Sequence, residues 1–88
     1  MTCYIVAFET KPITDGEKIR ECLKTFGGYC PINANCWAIL TDLLPPAVRD
    51  KVSQVSPASR IFVVRSGTAA AWRNAYGDAH AEWLKKNL

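Results

Sequence analysis

The chain has 88 residues, with eleven basic and eight acidic side chains, a formal net charge of +3, 49% apolar residues and 22% charged ones. That balance fits one small globular domain, and its mild positive charge permits contact with nucleic acid without arguing for it. No apolar run approaches the roughly 20 residues of a membrane-spanning helix. The chain runs directly into a strand pattern with no basic leader, so we expect no signal peptide and a cytoplasmic protein. Its four cysteines, Cys3, Cys22, Cys30 and Cys36, are then expected to be reduced thiols.

The first strand is Cys3–Phe8, and it is apolar on both faces. Tyr4, Val6 and Phe8 point one way, and Cys3, Ile5 and Ala7 the other. A helix follows, opened by Thr14-Asp15-Gly16-Glu17, which reads as a capping box. Ile19, Cys22, Leu23 and Phe26 form its apolar stripe. Gly27-Gly28 stops it.

Tyr29–Ile32 reads as a weak strand, and Pro31 suits it to a sheet edge or bulge. Asn33-Ala34-Asn35 makes a turn into a second two-faced strand, Cys36–Thr41. Pro45 sits in the first turn of a second helix. Val48, Val52 and Val55 are its buried stripe, and Pro57 ends it. Arg60–Arg65 is the last strand, again apolar on both faces through Ile61 and Val63 against Phe62 and Val64. The tail from Thr68 is alanine-rich, and Trp72, Tyr76, Ala79 and Trp83 recur at helical spacing. Gly77 is a candidate break before a final helix, Asp78–Asn87.

The order β-α-β-β-α-β plus a C-terminal helix predicts an α+β fold, the ferredoxin-like βαββαβ arrangement, as a single domain over residues 1–88. Right-handed crossovers put both internal helices on one face of the sheet. The other face is also apolar and must be covered. The expected cover is a homodimer that buries it, and the competing reading is a monomer whose tail folds back with Trp72 and Trp83 as a lid.

Few residues carry obvious chemistry. His80 is the only histidine, so no Cys-His or Ser-His pair is evident, and it reads as a surface residue. Cys30 and Cys36 are separated by five residues, which is not zinc-site spacing. Trp37, Trp72, Tyr76 and Trp83 have spacings that suit a core, with base stacking as the functional alternative.

Several segments in order along nearly the whole chain resemble the small Cas-two family of CRISPR-associated proteins, in particular its short SinR-like branch. They are Phe8-Glu9, Asn35-Cys36-Trp37-Ala38-Ile39, Val48-Arg49-Asp50, Val63-Val64-Arg65-Ser66-Gly67 and Trp83-Leu84-Lys85-Lys86-Asn87-Leu88. The resemblance implies a dimer in which the acid ending the first strand lies near the twofold and, paired with its symmetry mate, binds Mg²⁺ for phosphodiester hydrolysis. That family has aspartate at the position of Glu9. Glutamate keeps the charge and changes the reach of the ligand.

Glu9 is therefore the candidate catalytic and metal-binding residue. The alternative is a solvated carboxylate paired with Lys11. The resemblance also places Arg65 at the same end of the sheet as Glu9 and makes Lys11, Arg49 and Arg65 candidate nucleic-acid contacts, since arginine suits bidentate phosphate binding. The alternative is that Arg49 makes helix-surface pairs and Arg65 satisfies a nearby acid. Three functions follow from these readings. The first is a dimeric nucleic-acid-binding or assembly module with little catalysis. The second is a metal-dependent endonuclease using paired Glu9, and related folds in VapD-type toxin ribonucleases are consistent with it. The third is a protein-interaction subunit, such as an antitoxin-like or phage-associated partner.

Overall fold

A computed structural model describes residues 1–67 and 70–88. Thr68 and Ala69, where the alanine-rich tail begins, lie outside the described residues. In chain order the elements are β1 (Thr2–Glu9), a single 3₁₀ turn (Ile13–Asp15), α1 (Gly16–Leu23), β2 (Gly28–Asn33), β3 (Cys36–Thr41), α2 (Pro45–Val55), β4 (Arg60–Arg65) and α3 (Asp78–Asn87). The four strands form one antiparallel sheet in the order β2-β3-β1-β4. This is the ferredoxin-like α+β arrangement with a C-terminal helix. Among the described residues no helix is long and apolar enough to cross a membrane.

The two faces of the sheet are covered unequally. On one face, Tyr4, Val6 and Phe8 of β1 and Trp37 and Ile39 of β3 pack against Ile19, Cys22 and Leu23 of α1 and Val48 and Val52 of α2. Ile61 and Val63 of β4 border the same core. On the other face, Cys3, Cys30, Ala38 and Leu84 form a smaller buried cluster flanked by Ile5, Ile32, Leu40, Trp83 and Leu88. The tail of the same chain therefore folds back, but its helix lies over β2 and the centre of the sheet. Phe62 and Val64 stay exposed on β4. Part of this face is closed, and the strip along β1 and β4 is left open.

Three local expectations are corrected. Gly27-Gly28 does not stop α1, which already ends at Leu23 with Lys24 as its right-handed cap, and neither glycine takes a left-handed φ. The capping box does not form: the helix begins at Gly16 after the 3₁₀ turn, and no side chain caps it. A residue spent in the 3₁₀ turn cannot also take the extended geometry of a capping position. Glu17 instead pairs with Arg20 one turn on, at 2.9 Å. The helical stripe through Trp72 and Tyr76 is also absent. Residues 70–77 are irregular, Asn74 takes a left-handed φ of 58°, and both aromatics are exposed. Only the final helix forms, with the expected bounds.

Leu84 is the one residue of α3 fully buried against the sheet. Leu84→Ala is expected to cost about 2–4 kcal/mol, seen as a lowered urea midpoint. A loss under about 0.5 kcal/mol would mean that α3 contributes little cover.

Burial pushes all four thiols above their ordinary value of 9.0, with Lys51 partly opposing the effect at Cys22. Below that value both folded and unfolded chains keep the protons, and stability is unaffected by these groups. Above it the unfolded chain loses them first, so stability should fall as pH rises past about 9. Urea titrations across the alkaline range, repeated with the Cys3→Ala and Cys30→Ala variants, check this. An equal alkaline loss in variants and parent would assign it to other groups.

Candidate functional site

The C-terminal end of β1 is where the candidate acid lies. Glu9 is directly opposite Arg60 in the β1–β4 ladder. Alternation along β1 puts it on the same face as Ile5 and Ala7, the face left partly open. Its carboxylate Oε1 is engaged by Arg60 Nη1, and both side chains are more than two-thirds exposed. Lys11, the expected partner, is not the one the carboxylate meets. Sequence proximity suggested Lys11, but an antiparallel neighbour directly across the ladder is closer than a residue two positions on, past the strand end. Arg60 was the residue missed. Its signal was available in the strand pattern: a basic residue starts the last strand and an acid ends the first.

Around this pair lies a shallow depression of about 280 Å³ lined by Ala7, Phe8, Glu9, Asn35, Arg60 and Phe62, together with Ile61. Its floor is apolar and its rim carries one acid, one base and one amide. The Asn33–Asn35 turn is held by its own Asx bond, with the Asn35 N–H donating to Asn33 Oδ1 at 2.9 Å. Arg20 Nη1 also donates to the Ala34 carbonyl at 3.2 Å.

The loop that carries Lys11 is fixed from below by a polar network. Ser59 Oγ accepts the Lys11 N–H at 2.8 Å and lies 2.5 Å from Ser56 Oγ. Ser56 is fully buried and donates to Asp15 Oδ2 at 2.7 Å. Lys18 reaches the other Asp15 oxygen at 3.4 Å. With Ser56 inaccessible and His80 on the helix across the sheet, this network is built to hold the loop and not to supply a nucleophile.

The other expected contacts are placed elsewhere. Arg65 is opposite Tyr4, five residues back along the ladder from Glu9, or about 17 Å. It also faces the helix side of the sheet with Ile61 and Val63, whereas Glu9 faces the open side. The expectation that Arg65 and Glu9 share one end of the sheet is thus corrected. In antiparallel pairing the end of β4 meets the start of β1, not its end. No carboxylate lies within ion-pair distance of Arg65 among the described residues. The hollow beside it is bordered by Met1, Cys3, Ser66, Asn87 and Leu88, and Lys85 and Lys86 stand in the adjoining last turn of α3. Arg49 pairs with Asp50 on the surface of α2 at 2.9 Å.

Of the four aromatics, Trp37 is buried in the core beside Tyr29, with ring centroids 5.8 Å apart, and Trp83, on α3, is half-buried. Trp72 and Tyr76 are not core residues. Tyr76 meets the edge of His80 at 5.8 Å.

Glu9 stands alone as a candidate metal ligand within one chain. Its carboxylate is already neutralised by a guanidinium, and no group of three His, Cys, Asp or Glu side chains converges anywhere among the described residues. No protein-family model matches the chain, and no curated protein matches it in sequence.

The two polar arrangements should differ in energetic weight. Ser56→Ala leaves the buried Asp15 carboxylate short of a donor and is expected to cost about 1–3 kcal/mol. Arg60→Ala breaks only an exposed pair and should cost less than about 1 kcal/mol. Urea denaturation of both variants measures the contrast, and a larger loss for Arg60→Ala would reverse the assignment.

Proposed function

We propose that this chain is a homodimeric binding and assembly module, similar to Cas-two-like proteins, whose ligand is nucleic acid and which does little or no catalysis of its own. The observation that carries the reading is the separation of Glu9 from Arg65. Glu9, the one residue the resemblance marks for metal chemistry, is held by Arg60. Arg65, the best phosphate ligand, is about 17 Å away on the opposite face of the sheet. A phosphate held at Arg65 is out of reach of a metal held at Glu9 in the same chain, since Mg²⁺–oxygen bonds are about 2 Å long.

The cations without a carboxylate partner support phosphate binding. Among the described residues, five of the eleven basic side chains are paired with acids: Lys18, Arg20, Lys24, Arg49 and Arg60. Arg65, Lys85 and Lys86 are not among them, and they lie toward the end of the sheet away from Glu9. The homodimer is supported by the open strip of Ala7, Phe62 and Val64, which α3 does not reach. A second copy is the simplest cover for a small domain with a thin core.

Fluorescence anisotropy with labelled RNA and DNA oligonucleotides tests the reading. Binding should weaken steeply with salt, and Arg65→Ala combined with Lys86→Ala should lower the log–log salt slope by about 2. Cleavage in Mg²⁺ or Mn²⁺ that is lost in Glu9→Gln would replace this reading with the endonuclease. Absence of binding to any oligonucleotide at low salt would leave the protein-interaction subunit.

A further inference from the structure

The two edges of the sheet are treated differently. The β2 edge carries Pro31, breaks its register between Pro31 and Asn33, and lies beside α3. These are the usual devices that keep a strand edge from pairing. The β4 edge has none of them. It is the outermost strand, with no pairing partner beyond it among the described residues. Its four central residues are Ile61, Phe62, Val63 and Val64, with no proline, lysine or acid among them.

The ladder shows which backbone groups are free. Ser66 N–H donates to the Cys3 carbonyl at 2.9 Å. In antiparallel pairing the hydrogen-bonded positions alternate, so the register assigns the bonds to β1 to Val64, Phe62 and Arg60. Ile61, Val63 and Arg65 therefore direct their N–H and C=O groups outward from the sheet.

We propose that two copies of this chain pair edge to edge, β4 antiparallel to β4, about a twofold at Val63, giving a continuous eight-stranded sheet. The inference rests on the dimer part of the reading above and is independent of its nucleic-acid part. Only outward-directed residues can bond across the twofold. Centring on Val63 matches Val63 with the partner's Val63, and Ile61 with the partner's Arg65, in both directions. All three outward residues of each strand are then satisfied. Centring on Phe62 or Val64 strands one of them outside the pairing.

The same register sets Phe62 beside the partner's Val64 on the open face, so each exposed apolar side chain packs one flank against a cross-strand neighbour. It opposes no two arginines, because Arg65 meets Ile61 and Arg60 falls beyond the strand, already paired with Glu9. The shallow groove along this edge, lined by Pro45, Pro46, Arg49, Ile61, Phe62 and Val63, lies beside the place the partner strand would take. This dimer also sets the two Glu9 residues three strands and six ladder positions apart, about 25 Å. It cannot form a shared Mg²⁺ site from them.

Val63→Pro is the selective test, because the N–H it removes points away from β1 and serves no bond within the chain. By light scattering at tens of micromolar, the parent should run at twice the chain mass. Val63→Pro should run at one chain mass with an unchanged far-ultraviolet spectrum. In the parent, amide exchange at Ile61, Val63 and Arg65 should slow as concentration rises. If Val63→Pro fails to fold, Phe62→Lys with Val64→Lys decides the matter, since both side chains are exposed. That double variant should be monomeric, and mixing it with Phe62→Glu/Val64→Glu should restore a two-chain species.

A folded Val63→Pro or a lysine double variant that stays dimeric would overturn edge pairing while leaving a dimer assembled through another surface. A parent that stays at one chain mass would overturn the dimer as well and leave the edge open to an unrelated strand. The oligonucleotide titration would be unaffected by either result.

Discussion

A sheet that is apolar on both faces needs two covers, and the rest of this structure follows from how few helices the chain has to supply them. The βαββαβ order commits α1 and α2 to the same side, because both crossovers are right-handed. That side becomes the main core, with Val6, Ile19, Leu23, Ile39, Val48 and Val52 at or near zero exposure. The second side receives a single ten-residue helix, α3. A helix with side chains is about 10–12 Å across, whereas four strands span about 14–15 Å between their outer axes. One helix laid over β2 and β3 therefore leaves the β1–β4 border uncovered, and Phe62 and Val64 are the residues that remain.

The architecture was legible because it depends on periodicity and punctuation, which a sequence carries directly. Pro45 and Pro57 mark ends, and the two-residue alternation of Cys36–Thr41 marks a strand. The local errors have a common physical source. Thr14 has the right chemistry for a cap, but the chain enters α1 through a 3₁₀ turn that removes the geometry a cap requires. Trp72 and Tyr76 have helical spacing, but Asn74 between them takes a conformation that a right-handed helix cannot contain. In both cases a local backbone state decided, and composition does not report backbone state.

The candidate site was less legible than the fold for a different reason. Its defining contact, Glu9 with Arg60, is 51 residues long in sequence and one strand spacing long in space. Only register links them. Register also separates Arg65 from Glu9, although both are strand-terminal residues next to polar loops. Given the topology 2-3-1-4, the antiparallel sense of β1 and β4 would have paired each residue correctly. The polar support beneath was less accessible still: nothing in the sequence distinguishes Ser56 from the other serines of the segment, yet it is the one that is fully buried and bonded to Asp15.

The Glu9–Arg60 pair bears on both chemistry and assembly. A carboxylate that is to bind a metal must exchange its existing partner for the ion, and an exposed guanidinium pair of this kind resists that exchange by no more than about 1 kcal/mol. The pair alone therefore does not forbid metal binding. What limits it is ligand number. Mg²⁺ held by one carboxylate and water is weakly retained, and dedicated sites add a second acid or substrate phosphates. Within one chain Arg65, the arginine proposed to hold phosphate, is on the other face of the sheet. A second acid must come from a symmetry mate, so catalysis would require a twofold that brings the C-terminal ends of two β1 strands together. A twofold at the β4 edge separates them, because antiparallel pairing sends the two strands' ends in opposite directions. The choice of interface is thus also a choice between binding and cleavage.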